Sequence, residues 1–326
     1  MVMKIKKEYI ILAVLIVALS LYLLLHKRDR TQYELPVLPG FPTVDIKKIE
    51  IAKPGGSVIL LEKKDDKWVI SPDGHPADAG KVGAMLESIG NLAVSAVVSE
   101  SKSYERYGLG GTDRIGVKAW TDKELKRDFE VGREASSFQH TFVKIAGDER
   151  VFHARENFRG RFDQTLDSLR DKTVLKFKPS EVLSIEVRDA QKTVTFERSQ
   201  APVDVSVSQE SKSPPTGREV VWESSEGKAD EAKLTQLLTT LSALKCDGYI
   251  YDRKRDDFKD PIYSIKLKGQ EMYSLSLFAK DDKNEKDYPG VSSQTDSPFL
   301  LPEQQAARIM IAPGDLMKKA DKSPNP

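Results

Sequence analysis

The chain has 326 residues, of which 39% are hydrophobic and 31% are charged. This length and mixture predict about two folded domains in water, and they are not typical of a disordered chain or of a bundle buried in lipid. Lys and Arg number 51 and Asp and Glu number 50, so the net charge of +1 argues against nucleic acid as a partner. A single cysteine, Cys246, excludes an intramolecular disulfide and a multi-cysteine metal site.

The most apolar stretch lies at the start of the chain. Residues 9–25 carry no charge and would span roughly 25 Å as a helix, the short end of a membrane crossing. A buried core helix would carry a polar stripe, and a signal peptide would be cleaved where the apolar run ends. We therefore predict a short tail over 1–8 and a single-pass anchor, Tyr9–Leu25, in the inner (cytoplasmic) membrane. Basic residues flank both sides equally, and we expect most of the chain in the periplasm.

Beyond a proline-containing linker at 26–44, the chain contains an internal repeat. Clusters of β-branched and aromatic residues predict strands in both copies, at 49–51, 58–61, 68–70, 115–119 and 129–131, and at 185–187, 194–196, 220–222, 265–267 and 273–277. The fold class predicted is α+β, in which a transmembrane helix is followed by two tandem antiparallel sheets with helices packed on them. The repeats are predicted over 45–172 and 173–312, and a flexible tail over 313–326.

An amphipathic helix is predicted in each repeat, directly after an aspartate that can cap its free N–H groups. These aspartates are Asp78 and Asp230. Five apolar positions follow each of them at spacings of three and four residues, namely Val82, Met85, Leu86, Ile89 and Leu92, and Leu234, Leu237, Leu238, Leu241 and Leu244. A further helical stripe is predicted over 158–169. A segment rich in Ser, Pro and Gln, at about 199–217, predicts a long loop inserted in the second repeat.

Motifs for catalysis or cofactor binding are missing from the sequence. The glycines after Tyr107 lack the lysine of a phosphate-binding loop, and there is no G-x-S-x-G motif. His140 and His153 could meet on neighbouring strands, but two histidines make a weak metal site. We therefore predict a protein that is not an enzyme and has no catalytic, cofactor or metal site.

Several short motifs occur in an order that resembles a bacterial family of unknown function, the domain of unknown function 4340. A strand that ends in Trp68 precedes Pro76-Ala77-Asp78, and Tyr107-Gly108-Leu109 precedes a strand over 115–120. The motif Leu169-Arg170-Asp171-Lys172-Thr173-Val174-Leu175 follows at the junction of the repeats. The resemblance implies an envelope protein associated with ABC transporters of the gliding-motility type, and it implies no catalytic residues.

Two binding functions remain as hypotheses. The first is an accessory or scaffold subunit whose partner is an ABC transporter permease or another envelope protein. The alternative is a periplasmic binding module for a lipid, glycan or peptidoglycan fragment. In both cases the expected ligand or partner surface includes four tyrosines, Tyr104, Tyr107, Tyr249 and Tyr251.

Overall fold

A computed structural model describes most of the chain. The described residues are 7–25, 33–200, 220–280 and 286–318. The chain divides into two compact units, Met1–Gln164 and Thr165–Pro326. From position 201 onward, the predicted insertion at 199–217 lies outside the described residues, as do 1–6, 26–32 and 319–326 of the predicted tails and linker.

The first element is helix α1 (Lys7–Leu25), whose side chains are described over 11–22. Within the described residues, no helix combines the length and the apolar character that a membrane crossing requires. The prediction of a transmembrane anchor at Tyr9–Leu25 is therefore wrong.

Unit 1 is built around one antiparallel sheet. Its strands are β1 (Lys48–Ala52), β2 (Val58–Lys64), β3 (Lys67–Ser71), β4 (His75–Pro76), β5 (Val94–Ser99), β6 (Ile115–Trp120), β7 (Leu125–Glu134), β8 (Thr141–Ile145) and β9 (Val151–Ala154). Its helices after α1 are α2 (Ala79–Gly90) and α3 (Arg159–Phe162), with short 3₁₀ helices at Thr43–Asp45, Pro54–Gly56 and Tyr104–Tyr107. The strand order is β4-β3-β2-β1-β6-β7-β8-β9-β5, so β4 and β5 are the edges.

The core of unit 1 follows from the alternation of side chains along its strands. Ile49 and Ile51 of β1 are fully buried, and Ile51 lies opposite Ile59 of β2. Alternate residues of a strand point to the same face, so one face of this sheet is apolar. The ring of Phe129 on β7 meets those of Phe158 and Phe162 edge to face, with centroids 6.2 and 5.9 Å away. The helices α2 and α3 complete this core.

Unit 2 contains a sheet of the same strand order. Its elements are α4 (Leu166–Leu169), β10 (Thr173–Lys176), β11 (Ser184–Asp189), β12 (Thr193–Gln200), β13 (Val220–Ser224), β14 (Gly227–Lys228), α5 (Glu231–Leu241), β15 (Ala243–Lys245), β16 (Gly248–Tyr249), β17 (Tyr263–Lys268), β18 (Met272–Leu277), β19 (Asp287–Ser292), β20 (Thr295–Pro302) and α6 (Glu303–Ile309). Short 3₁₀ helices lie at Pro179–Glu181, Arg255–Asp257 and Pro313–Leu316. The order β14-β13-β12-β11-β17-β18-β19-β20-β16 matches that of unit 1 strand for strand.

One two-stranded ribbon in unit 2 is separate from the large sheet, since β10 pairs antiparallel with β15.

The hydrophobic core of unit 2 resembles that of unit 1, because Ile185 of β11 lies opposite Phe196 of β12 and both are fully buried. On α5, four of the five predicted apolar positions belong to the helix and are buried, and the fifth, Leu244, is buried on β15.

The predicted fold class is wrong. The described chain consists mainly of two nine-stranded antiparallel sheets with few helices, and it has no membrane-spanning helix. The stripe predicted over 158–169 also fails to form one helix. It is split into two four-residue helices, α3 and α4. The break lies at Asp163, whose ψ of 58° leaves the helical region, and Thr165 then caps α4 with its side chain.

The two predicted N-cap aspartates, Asp78 and Asp230, cap helices α2 and α5. The side chain of Asp78 accepts a hydrogen bond from the Lys81 N–H at 3.0 Å, and Asp230 accepts one from the Lys233 N–H at 3.2 Å, as predicted. Replacing Asp78 with Ala should lower the free energy of unfolding by about 1 kcal/mol in urea denaturation. Asp78→Asn keeps the acceptor and should lose much less. Equal losses in the two variants would contradict the capping role.

Candidate functional site

The strand β5 forms an open edge in unit 1. It pairs on one side with β9, where Val97 lies opposite Phe152, and its register shifts twice along that pairing. On its other side, the strand makes no backbone hydrogen bond to any part of the chain that the structure describes. The opposite edge, β4, is only two residues long. A six-residue strand with free N–H and C=O groups is a template for the addition of another strand.

Unit 2 differs in the segment just before the corresponding edge strand, β16. There the chain before the large sheet forms β10, which pairs with β15, and the Cys246 N–H donates to the Lys172 carbonyl at 2.9 Å. The strand that leads into β16 therefore has a partner from its own chain. In unit 1 the segment before β1 contains three prolines, which lack a backbone donor, and it forms no strand. They are Pro36, Pro39 and Pro42.

A groove follows the open edge. It has a volume of about 700 Å³. It is lined by Tyr33, Val97, Val98, Ser99, Glu100 and Ser101. Its walls are thus an aromatic ring, two β-branched side chains and small hydroxyls, with one carboxylate at its end. This shape suits an extended peptide more than a compact small molecule.

Two of the predicted site residues lie beside this edge. Val98 of β5 packs with Tyr104 and Tyr107 in a small apolar group that we call the satellite cluster, whose other members are Leu109, Ala135, Phe142 and Val151. The Tyr107 and Phe142 rings meet edge to face at 5.0 Å. The Tyr104 hydroxyl donates to the Glu149 carbonyl at 3.0 Å. The cluster therefore supports β5 from one face of the sheet.

Two histidines of unit 1, His140 and His153, stack against each other beside Phe142 of this cluster. The rings of His140 and His153 lie 5.3 Å apart, and Nδ1 of His140 is 2.9 Å from the Ala154 carbonyl oxygen. Burial and the neighbouring His140 lower the pKa of His153. Among the described residues, no group of three or more His, Cys, Asp or Glu side chains could hold a metal ion.

The other two predicted tyrosines lie in unit 2, around Arg170. The guanidinium carbon of Arg170 is 3.6 Å from the ring centre of Tyr249 and 5.9 Å from that of Tyr251. The Tyr251 hydroxyl donates to Asp167 at 2.9 Å, and Lys172 forms an ion pair with the same carboxylate at 2.5 Å. Tyr104 and Tyr107 thus belong to unit 1, and Tyr249 and Tyr251 belong to unit 2.

Burial shifts the pKa values of the side chains around Arg170. Burial disfavours the Asp167 carboxylate, but hydrogen bonds from Lys172 and Tyr251 outweigh it and hold the pKa of Asp167 below its usual value. Burial raises the pKa of Tyr249 and of Tyr251. It also raises the pKa of the Cys246 thiol to about 11, so this cysteine is a poor nucleophile at neutral pH.

A third feature of interest is a cavity of about 200 Å³ in unit 2. It is lined by Pro179, Ser180, Arg198, Trp222, Glu231, Thr235 and Leu238. Arg198 is held there by hydrogen bonds from Nη1 to the carbonyls of Ser180 and Val182. None of the four predicted tyrosines lines this cavity.

Sequence reasoning missed two features, β5 and the burial of Arg170. The run Val-Ser-Ala-Val-Val-Ser at 94–99 carried the β-branched signal of a strand, although its register shifts blur the alternation. The sequence offered no sign that Arg170 is buried, because arginine is usually exposed.

The comparisons with known proteins give a family and nothing further. The family model of the domain of unknown function DUF4340 matches residues 68–262. No curated protein and no solved structure matches.

The histidine stack predicts a pH dependence. Because folding lowers the pKa of His153, the unfolded chain binds its proton more readily than the folded chain does. The stability that His153 contributes is present above a pH of about 6.5 and is lost as pH falls through the depressed pKa. The midpoint of urea unfolding should therefore fall between about pH 7 and pH 5. His153→Gln should reduce this fall and His140→Gln should reduce it partly, whereas an unchanged fall in His153→Gln would contradict the assignment.

Proposed function

The chain belongs to the family of the domain of unknown function DUF4340, and from this premise we propose that it is a non-catalytic accessory protein that binds an extended segment of a partner protein along β5. The observation that carries the proposal is the open edge of β5, which is six residues long. The other three edge strands of the two sheets, β4, β14 and β16, are two residues long each, and the chain just before β16 is paired with β10.

The expected occupant is an extended segment that adds to the sheet as a further strand. Each new backbone hydrogen bond would contribute about 0.5–1.5 kcal/mol, so several of them together with apolar contacts are needed for a stable complex. Side chains toward Tyr33 and Val97 should be apolar, and a basic residue should lie opposite Glu100, which is exposed in the groove. Alternation of apolar and polar residues in the partner follows from the pleat of a strand.

The partner class and the location are part of the same proposal. The family resemblance of the sequence favours a subunit of an ABC transporter, and with it a location of the folded units in the periplasm. The absence of catalytic motifs from the sequence supports a role without chemistry. The open edge supports binding to a protein, because an unpaired strand recognises main-chain groups that every extended peptide carries.

A second candidate function, the binding of a small glycan fragment, rests on the cavity at Trp222. The cavity is bounded by the largely buried indole of Trp222, and Arg198 and Glu231 offer polar partners. Its volume of about 200 Å³ is below the 300–1,000 Å³ typical of pockets for larger ligands, so a single sugar ring is the largest reasonable occupant. Such a ligand would change the fluorescence of Trp222 and leave contacts at β5 unchanged.

Photo-crosslinking in the source cells tests the proposal at the edge itself. A benzophenone amino acid placed at Ser99 on β5 should form an adduct with a partner protein, whose crosslinked peptide is identified by mass spectrometry. The same group at Lys118 should form none, because β6 is paired on both sides. Val97→Lys adds a charge to the groove and should lower the adduct yield about tenfold, the equivalent of about 1.4 kcal/mol.

The matched control is Val58→Lys, which adds the same charge to an exposed position of β2, a strand paired on both sides. It should leave the adduct at Ser99 unchanged. Equal adducts at Ser99 and Lys118, or equal losses from the two lysine variants, would overturn strand addition at β5. An adduct whose partner is no transporter subunit would overturn the partner class alone.

A further inference from the structure

Arg170 is a buried cation whose hydrogen bonding is incomplete. The side chain is 4% exposed, and Nη2 donates to the Ser297 hydroxyl at 2.8 Å. Its other two nitrogens, Nε and Nη1, are buried and have no acceptor among the residues that the structure describes. The other buried polar side chains of the described core, Ser88, Thr141 and Ser292, all make hydrogen bonds. Buried charged donors without acceptors are costly, so Nε and Nη1 of Arg170 mark a place where an acceptor from outside the chain would bind.

Among the described residues, the acidic side chains near Arg170 make no hydrogen bond to it. The carboxylate of Asp167, which interacts electrostatically with Arg170, has one oxygen bonded to the Tyr251 hydroxyl and the other to Lys172. In the described part of the chain, Arg170 forms no ion pair of its own, whereas Lys172 is already paired. Arg170 therefore has a carboxylate nearby but, in this part of the chain, none bonded to it, so an anion that enters would supply the missing acceptors.

The two tyrosines that contact the guanidinium differ in burial. Tyr249 is held in place, since its side chain is 8% exposed and its hydroxyl donates to the Asp171 carbonyl at 2.7 Å. Tyr251 is 62% exposed, although its ring lies 5.9 Å from the same guanidinium. An exposed side chain changes rotamer readily, and movement of Tyr251 would open Arg170 without disturbing the core.

We propose that Arg170, Tyr249 and Tyr251 form a binding site for a carboxylate group, which enters as Tyr251 moves aside. A carboxylate supplies the acceptor oxygens that Nε and Nη1 of Arg170 lack, and it brings only one negative charge. A phosphate dianion would bring a second charge toward the carboxylate of Asp167, and like charges at close range repel. The Tyr249 ring keeps the guanidinium plane in place, and the N–H groups of Nε and Nη1 supply the donors.

The test is a titration of the full chain with sodium acetate at constant ionic strength, followed by proton–nitrogen spectra of the arginine Nε–H groups. The signal of Arg170 should shift and reach saturation, and its loss in Arg170→Lys assigns it. Acetate affinity should fall at least about tenfold in that variant, because a charge-assisted hydrogen bond contributes about 1.5–3 kcal/mol. Arg198→Lys is the matched control, since Nη1 of Arg198 already has carbonyl acceptors, and it should leave acetate binding unchanged.

The wild-type chain by itself decides the proposal even if Arg170→Lys fails to fold. Saturation with acetate, a weaker response to phosphate and no shift of the Arg198 signal would support a carboxylate site. The proposal is overturned if chloride at the same ionic strength shifts Arg170 as acetate does, if Arg170 and Arg198 respond alike, or if no saturation is reached. Tighter binding of phosphate than of acetate would also overturn it.

Discussion

The backbone hydrogen bonds between antiparallel strands are the constraint on which the rest of this structure depends. A strand inside either large sheet has its N–H and C=O groups satisfied on both sides, and these ladders hold the apolar faces in register. The same requirement makes the edges special, because an unpaired strand leaves polar groups that water or another chain must satisfy. We link two features to function, β5 and the region of Arg170. Both lie where the backbone pairing of the segment before the large sheet differs between the two units.

The prolines before β1 explain that difference. In unit 2 the segment before β11 can donate and accept along its length, so it forms β10 and pairs with β15. In unit 1 the equivalent segment carries Pro36, Pro39 and Pro42 and cannot complete a ladder. Pairing in unit 2 also brings residues 170–172 toward Tyr249, which places Arg170 against an aromatic ring in a buried position. One local change in sequence thus accompanies an open edge in one unit and an enclosed cation in the other.

Local signals predicted the elements better than their assembly. The N-cap aspartates and the apolar face of α2 are confirmed, because capping and burial of one helical stripe depend on residues close in sequence. The single helix expected over 158–169 is wrong, since Asp163 leaves the helical region. The sequence predicts one surface with four tyrosines; within unit 1 two of them lie beside β5, and within unit 2 the other two lie around Arg170. Sequence spacing carries no information on which distant side chains meet.

The sequence by itself determined that the chain is charge-balanced, rich in half-buried strands, free of catalytic motifs and a member of its family, because composition and local periodicity encode these properties. Only the tertiary structure decided that β5 is an edge, that no helix in the described residues meets the requirements of a membrane crossing, and that Arg170 is buried with free donors. The physical reason is that edge status and burial depend on neighbours far away in the chain, and hydrogen-bond satisfaction can be counted only when those neighbours are in place.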